Sequence, residues 1–395
     1  MVCIGSILAG YLIGSFIPGY FLGRLKGIDI RRVGRHYAGT LNVYHVLGFW
    51  PAVPTAAVDT LKGIFAILLV QRMGAGFACA QLSGLAAIAG HVLPFYIGFR
   101  GGQGTACATG ILLFYLAKYI SAGALGLGTL GLLLALVAIF SYVARAGEVV
   151  GIVVLPLLGY SVISNQPHNP YNPYLLAVVL YIIGVGIYNI VTRKLIQIGD
   201  ETFRLHWWRV ALRPGALAFV LFYLDHTRIE TLKLIGSVAL FFILLDLVRF
   251  VHRRTEEIFT VRFKSFFKRA ERRRFSSMTM FLIAAFVAVL VFSREIAIPA
   301  LIFLIFGDIF SKIFGMAFGR HRVFEKTLEG SLAYLGGALI CAYIVHTALG
   351  LQMPLLVVGA VAAAVAEAMP LGVDDNFTVA VMGGTAMLVA EMFGI

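Results

Sequence analysis

Residues 307–331 of this 395-residue chain read GDIFSKIFGMAFGRHRVFEKTLEGS, setting an aspartate, spaced glycines, a basic cluster and a glutamate beside long apolar runs. An ionisable group at bilayer depth is by default a functional signal. Basic side chains, glycine backbone and carboxylates in one short stretch suit a metal-bound polyphosphate. Gly315 and Gly319 would let phosphates approach the backbone, Arg320 and Lys326 would neutralise them, and Thr327 and Glu329 add a hydroxyl and a carboxylate. Downstream, Glu367 sits in an apolar run and needs a partner. Asp374, Asp375 and Asn376 follow at once, a second source of metal ligands or of a base for an acceptor hydroxyl. The expected catalytic set is Asp308, Lys326, Asp374 and Asp375, with the metal held by Asp308, Glu329 and Asp374. Asp246 with Arg249, an i,i+3 pair, and Arg269 with Glu271 complete the nucleotide-binding candidates.

The elements that position these groups are apolar helices. The chain is 60% hydrophobic and 13% charged, with a mean hydropathy of +0.92. Its apolar runs reach the ~20 residues that cross a hydrocarbon core, so an all-α, polytopic membrane protein with roughly 13–14 transmembrane helices in two bundles is expected. The formal charge of +13 lies in short connections between apolar runs. That is the positive-inside pattern and not a nucleic-acid footprint. It puts the N-terminus outside and the loops around 320–329 and 372–376 inside, in the cell's inner membrane. Four separated cysteines without C-x-x-C spacing predict neither a disulfide framework nor a zinc site. A basic, tryptophan-bearing segment at 193–213 marks an interfacial boundary, dividing the chain into domains 1–205 and 206–395.

The first domain carries its own anion-binding pattern. Gly101, Gly102 and Gly104 beside Arg100 would form a phosphate-receiving turn, as Gly34 and Gly39 would near Arg31 and Arg32. The segments at 27–48, Asp59 with Lys62 and Gly63, 90–104 and 188–201 resemble the acyl-phosphate-dependent glycerol-3-phosphate acyltransferases. Asn42, Asp59, Lys62, His91 and Asn189 match the family; other positions depart from it. The family's glycine-serine-glycine-asparagine turn reads Gly34-Arg35-His36-Tyr37, and the lysine of its glycine-glycine-lysine-glycine loop is Gln103. Losing that lysine removes a fixed charge worth about 3 kcal/mol of transition-state stabilisation. This half is therefore expected to have a degenerate or altered site. His91 reads first as a helix-end structural group and second as a base.

The order DLVRF, FKRAE, GD, FGRHRVFEKTLEGS and EAMPLGVDDNFTV over residues 231–395 resembles the CTP-dependent diacylglycerol, dolichol and phytol kinases. That resemblance implies phosphoryl transfer from CTP, with magnesium or another divalent metal, to a lipid hydroxyl. The leading expectation is thus a lipid kinase fused to an acyltransferase-like half. The alternatives are an acyl-phosphate glycerol-3-phosphate acyltransferase and a non-catalytic lipid-binding or transport protein. Expected partners are a membrane lipid, a nucleotide and a second copy in a homodimer.

Overall fold

The computed structural model describes residues 2–196, 213–251, 275–371 and 374–394. Arg269, Glu271, the tryptophan pair at 207–208 and the expected boundary near 205 lie outside them. The architecture is all-α and polytopic. Nine described helices are long and apolar enough to cross a membrane, and three shorter apolar helices accompany them. Beyond the basic segment, the first described α-helix, α10, covers Leu217–Asp225, nine residues, well short of a crossing.

Two compact units emerge, residues 1–133 with 148–194, and residues 134–147 with 195–395. The sequence division ran at a single point; here fourteen residues of the first half group with the second unit.

In the first unit, α1 (Val2–Ser15) and α2 (Pro18–Leu25) form one span broken just before Pro18, whose fixed φ suits a helix start. After a connection come α3 (Thr40–Leu47), α4 (Phe49–Arg72), α5 (Phe77–Val92) and α6 (Thr105–Ser121). The helices α8 (Gly147–Asn165) and α9 (Asn172–Thr192) complete it, while α7 (Leu127–Ala144) is divided between the units. Gly10 and Gly14 of α1 rest on the α5 backbone at Ser83 and Ala87, where no side chain fits. Helices without a hydrophobic drive to associate in lipid pack through such small residues. That approach also joins Cys3 to Cys79 in a disulfide, Cα atoms 5.0 Å apart. This corrects the expectation of no disulfide: a sequence separation of 76 hides a pairing that only the α1–α5 contact creates.

The second unit contains α11 (Arg228–Val251), α12 (Ser277–Val291), α13 (Arg294–Ile302) and α14 (Asp308–Phe318), the last two joined by a π-helical turn at Phe303–Gly307. A small hairpin of β1 (Arg322–Val323) and β2 (Lys326–Thr327) leads into α15 (Leu328–Leu349), α16 (Met353–Ala368) and α17 (Asp375–Met392). Phe140 packs against Phe310 and Phe314, and Tyr334 donates to Phe303 O across the π turn. π-Turns gather at functional sites, and this one delivers Asp308 as the next residue.

Candidate active sites

Asn42 builds the first of the two loops that the sequence marked as anion-binding candidates. Fully buried, it donates through Nδ2 to Ile30 O, Val33 O and Tyr37 O at 2.7–3.0 Å and accepts from Arg35 N at 2.7 Å. Its Nδ2 hydrogens are used in folding residues 30–37, so it shapes the loop. Arg31 is likewise committed, to Asp29 at 2.9 Å and to Ile97 O at 2.6 Å. That guanidinium holds the Asp29 carboxyl at about 2, well below its usual range. Together with the bond from Ala38 N to Gly101 O, 3.1 Å, it ties the 30–38 loop to the second loop at 97–104.

The second loop rests on a buried ionic cluster. Lys62 Nζ lies 3.0 Å from Asp59 Oδ1 and donates to Phe16 O at 3.1 Å; His91 Nδ1 is 3.3 Å from the same carboxylate and touches Lys62. These three side chains are at most 4% exposed. Gly102 covers the imidazole, and a Cβ there would fall 2.0 Å from His91 Nε2. His91 is therefore buried beneath the turn and supports it. The amides of Gly101 and Gly102 bond to Val92 O and His91 O, so neither is free for phosphate. Gly104, at φ +68°, then starts α6, whose first-turn amides have no intrahelical partner. Arg100 is exposed beside the turn.

Gln103 and Asn189 exchange amide hydrogen bonds of 2.7 and 3.2 Å, joining the turn to α9. Each amide nitrogen keeps a second hydrogen. Arg193 Nη2 reaches Gln103 Oε1 at 3.4 Å, its Nη1 is 3.6 Å from Glu148 Oε1, and its guanidinium lies 5.8 Å from the Tyr37 ring centroid. Arg193 and Glu148 were not singled out from sequence. The available signal was that Arg193 follows Asn189 by four residues, one helical turn further on the same face.

In the second unit the predicted residues fall into separate networks. Asp308 pairs with Arg213 and, at 2.9 Å, with Lys312; Arg213 also donates to Asn376 Oδ1 at 3.3 Å. Lys326 bridges Glu367 at 3.0 Å and Asp375 at 2.8 Å, while Ser311 and Ser331 donate to the Glu367 carboxylate. This supplies the partner that a buried Glu367 requires. Glu329, fully buried, accepts from the amides of Arg320 and His321 and from both side chains.

Several expected roles change. Asp374 caps α17, accepting from Asn376 N at 3.0 Å, and Thr327 caps α15, accepting from Gly330 N. Gly315 lies inside α14, and with Gly319 it packs on Thr327, so these glycines permit close packing and form no phosphate turn. Asp246 and Arg249 are buried 3.1 Å apart, and Asp246 also accepts from Ser276 N and Thr279 Oγ1, anchoring α11 to α12. Among the described residues no three His, Cys, Asp or Glu side chains group to hold a metal ion. Asp308, Glu329 and Asp374 have different partners and do not fit a preformed magnesium site.

Residues 4–197 match the family model for glycerol-3-phosphate acyltransferase. Glycerol-3-phosphate acyltransferase 2 of Dehalococcoides mccartyi is 41% identical over 30% of this chain; that match spans 58% of the relative's own length. The glycerol-3-phosphate acyltransferase of Trichlorobacter lovleyi is 34% identical over 42% of this chain and 79% of its own. Among solved structures, the integral membrane glycerol 3-phosphate acyltransferase PlsY in its glycerol 3-phosphate form aligns with 52% of this chain and 99% of its own, at 24% identity and a TM-score of 0.39. The family model and the two sequence relatives favour the acyltransferase alternative over the leading expectation of a CTP-dependent kinase, whose residues lie beyond the match. Through residues 4–197 the chain belongs to the glycerol-3-phosphate acyltransferase family.

Proposed function

We propose that the first unit transfers an acyl group from an acyl phosphate to a hydroxyl of glycerol 3-phosphate, an early step of phospholipid synthesis. The observation that carries this reading is the convergence of three separated segments, 30–42, 97–104 and 189–193, through Arg31–Ile97, Ala38–Gly101 and Gln103–Asn189. The hydroxyl oxygen forms the new ester bond to the acyl carbon, the acyl–phosphate bond breaks, and the hydroxyl proton leaves with the phosphate. Fixed donors around a developing oxyanion lower such a barrier more than they stabilise substrate. The Cys3–Cys79 disulfide supports a sidedness for this site. It lies at the N-terminal ends of α1 and α5, whereas both loops follow the C-terminal ends of those spans, so an oxidising exterior at one end leaves the loops inside. The test is purified full-length protein with acyl phosphate and labelled glycerol 3-phosphate. Labelled lysophosphatidic acid is the expected product, and its absence at saturating substrates would end this reading.

A second reading, phosphoryl transfer from a nucleotide to a lipid hydroxyl by the second unit, is favoured by the Lys326, Glu367 and Asp375 network following a π turn. Labelled CTP or ATP with diacylglycerol, polyprenol and phytol should then give a labelled lipid, lost in Lys326→Gln. No transfer to any of the three lipids would remove this reading.

A further inference from the structure

We propose that Arg193 is the cation of the phosphate-receiving turn in the first unit, placed there by Glu148 and Gln103. The inference rests on the acyltransferase reading and names the residue that takes over a charge the turn itself lacks. Four observations converge on it.

The glycine turn carries a neutral side chain at its centre, Gln103, and the turn's own arginine, Arg100, is exposed. The nearby cations Arg31 and Lys62 are spent elsewhere, Arg31 on Asp29 and Ile97 O, Lys62 on Asp59 and Phe16 O. Arg193 instead extends from the end of α9 to Gln103 Oε1, and its side chain remains 26% exposed. Its remaining contacts are loose ones, a 3.6 Å approach to Glu148 and a 5.8 Å stack on Tyr37, which hold the guanidinium in place without exhausting its five donors.

The surrounding groups match one chemistry. The second hydrogens of the Gln103 and Asn189 amides, the first-turn amides of α6 and a planar guanidinium are all donors, suited to the oxygens of a phosphate monoester or of an acyl phosphate. Glu148 gives the site its direction. Its carboxylate lies 3.6 Å from Nη1, while Nη2 is turned to Gln103 Oε1. Tyr181 fixes the turn from below, donating to Gln103 O at 2.8 Å. Gln103 thus serves as a link between the turn and Arg193, and the reciprocal amide pair explains how a glutamine can occupy this position without leaving a polar group unmatched.

The experiment uses the full chain in lipid nanodiscs, measuring glycerol 3-phosphate binding by calorimetry and acyl transfer kinetically, with the KM for each substrate determined separately. Arg193→Gln should weaken glycerol 3-phosphate binding or raise one substrate's KM by about tenfold, the worth of one charge-assisted hydrogen bond. Which substrate is affected tells whether the guanidinium holds the acceptor's phosphate or the donor's. Arg193→Lys should fall between the two, keeping charge but losing the fork. Adding Gln103→Lys to Arg193→Gln should restore much of the loss, a rescue that a merely structural arginine would not permit. If Arg193→Gln binds and acylates as the parent does, the inference fails while the acyltransferase reading stands. If the parent binds glycerol 3-phosphate in an Arg193-dependent way but forms no acyl product, the site stands and the acyltransferase reading fails. A parent that neither binds nor acylates overturns both.

Discussion

Two charge clusters, one in each unit, are used in opposite ways. In the first unit Asp59, Lys62 and His91 are sealed beneath the glycine turn, at most 4% exposed, and their partners are one another. In the second, Lys326 and Asp375 have side chains 27% and 53% exposed and meet where the β hairpin and a helix start come together. Charges buried in pairs hold a scaffold, and removing one member strands the other. Charges at the ends of helices remain able to exchange partners for a ligand. The difference separates charges that hold a scaffold in shape from charges placed where a ligand can reach them.

The largest expected effect breaks this contrast directly. Lys62→Met leaves the Asp59 carboxylate buried with only His91 and should destabilise the protein by about 3–5 kcal/mol. The double variant Asp59→Asn with Lys62→Met should cost less than the single one, because no uncompensated charge remains. In the second unit Asp375→Asn, which keeps the Lys326–Glu367 pair, should cost no more than about 1 kcal/mol, as expected for an exposed partner. Thermal unfolding in one detergent compares all three. Equal losses in both units would erase the distinction between sealed and exchangeable charges.

Next comes the covering glycine. Gly102→Ala places a methyl 2.0 Å from His91 Nε2 and 2.9 Å from Cδ2, so the turn must move off the imidazole. Overpacking of this kind costs about 1–3 kcal/mol. Glycerol 3-phosphate affinity should fall with stability, since the turn and its support move together. Retention of both would mean that the turn does not depend on the buried cluster.

Much of this fold was readable because lipid imposes length: apolar runs long enough to cross a bilayer appear as helices such as Phe49–Arg72, Phe77–Val92 and Asn172–Thr192. The site was harder. Spacing brought out Gly101, Gly102 and Gly104, yet it could not show that two of their amides are already spoken for, since His91 O and Val92 O are set by how α5 ends. Arg193 read as one more interfacial cation because its spacing from Asn189 does not by itself show a side chain that reaches back 90 residues. In the second unit, carboxylates counted as metal ligands turned out to be caps and loop anchors. Asp374 and Glu329 bond to backbone amides a few residues away, and a composition-based reading gives both roles the same letters.

A smaller effect tests the link between the two loops. Asp29 has its carboxyl held near about 2, first by the hydrogen-bonded Arg31 guanidinium. A depressed carboxyl contributes stability that is fully present above its unfolded value of 3.8 and is lost as pH falls through about 2. The parent should therefore lose melting temperature across that window, and Asp29→Asn should start lower at neutral pH and show a flatter profile there. Identical profiles would mean that Arg31 holds Ile97 O without help from Asp29.

The smallest expected change concerns a departure from the family within the first loop. His36 occupies φ +60°, at the place where the resembling enzymes carry the second glycine of their turn, and its side chain is exposed. A left-handed conformation costs a residue with a Cβ roughly 1–2 kcal/mol, less for histidine than for branched residues. Glycine removes that strain but adds about 0.5–1 kcal/mol of unfolded-state entropy. The two terms nearly cancel, so His36→Gly should stabilise the protein by no more than about 1 kcal/mol. The informative readout is affinity, since the substitution removes an imidazole from the loop without disturbing the Asn42 bonds that fold it. Unchanged glycerol 3-phosphate binding at slightly higher stability would mark His36 as tolerated strain. Weaker binding with unchanged stability would mean that the loop over Asn42 contributes a ligand of its own and that Arg193 shares its task.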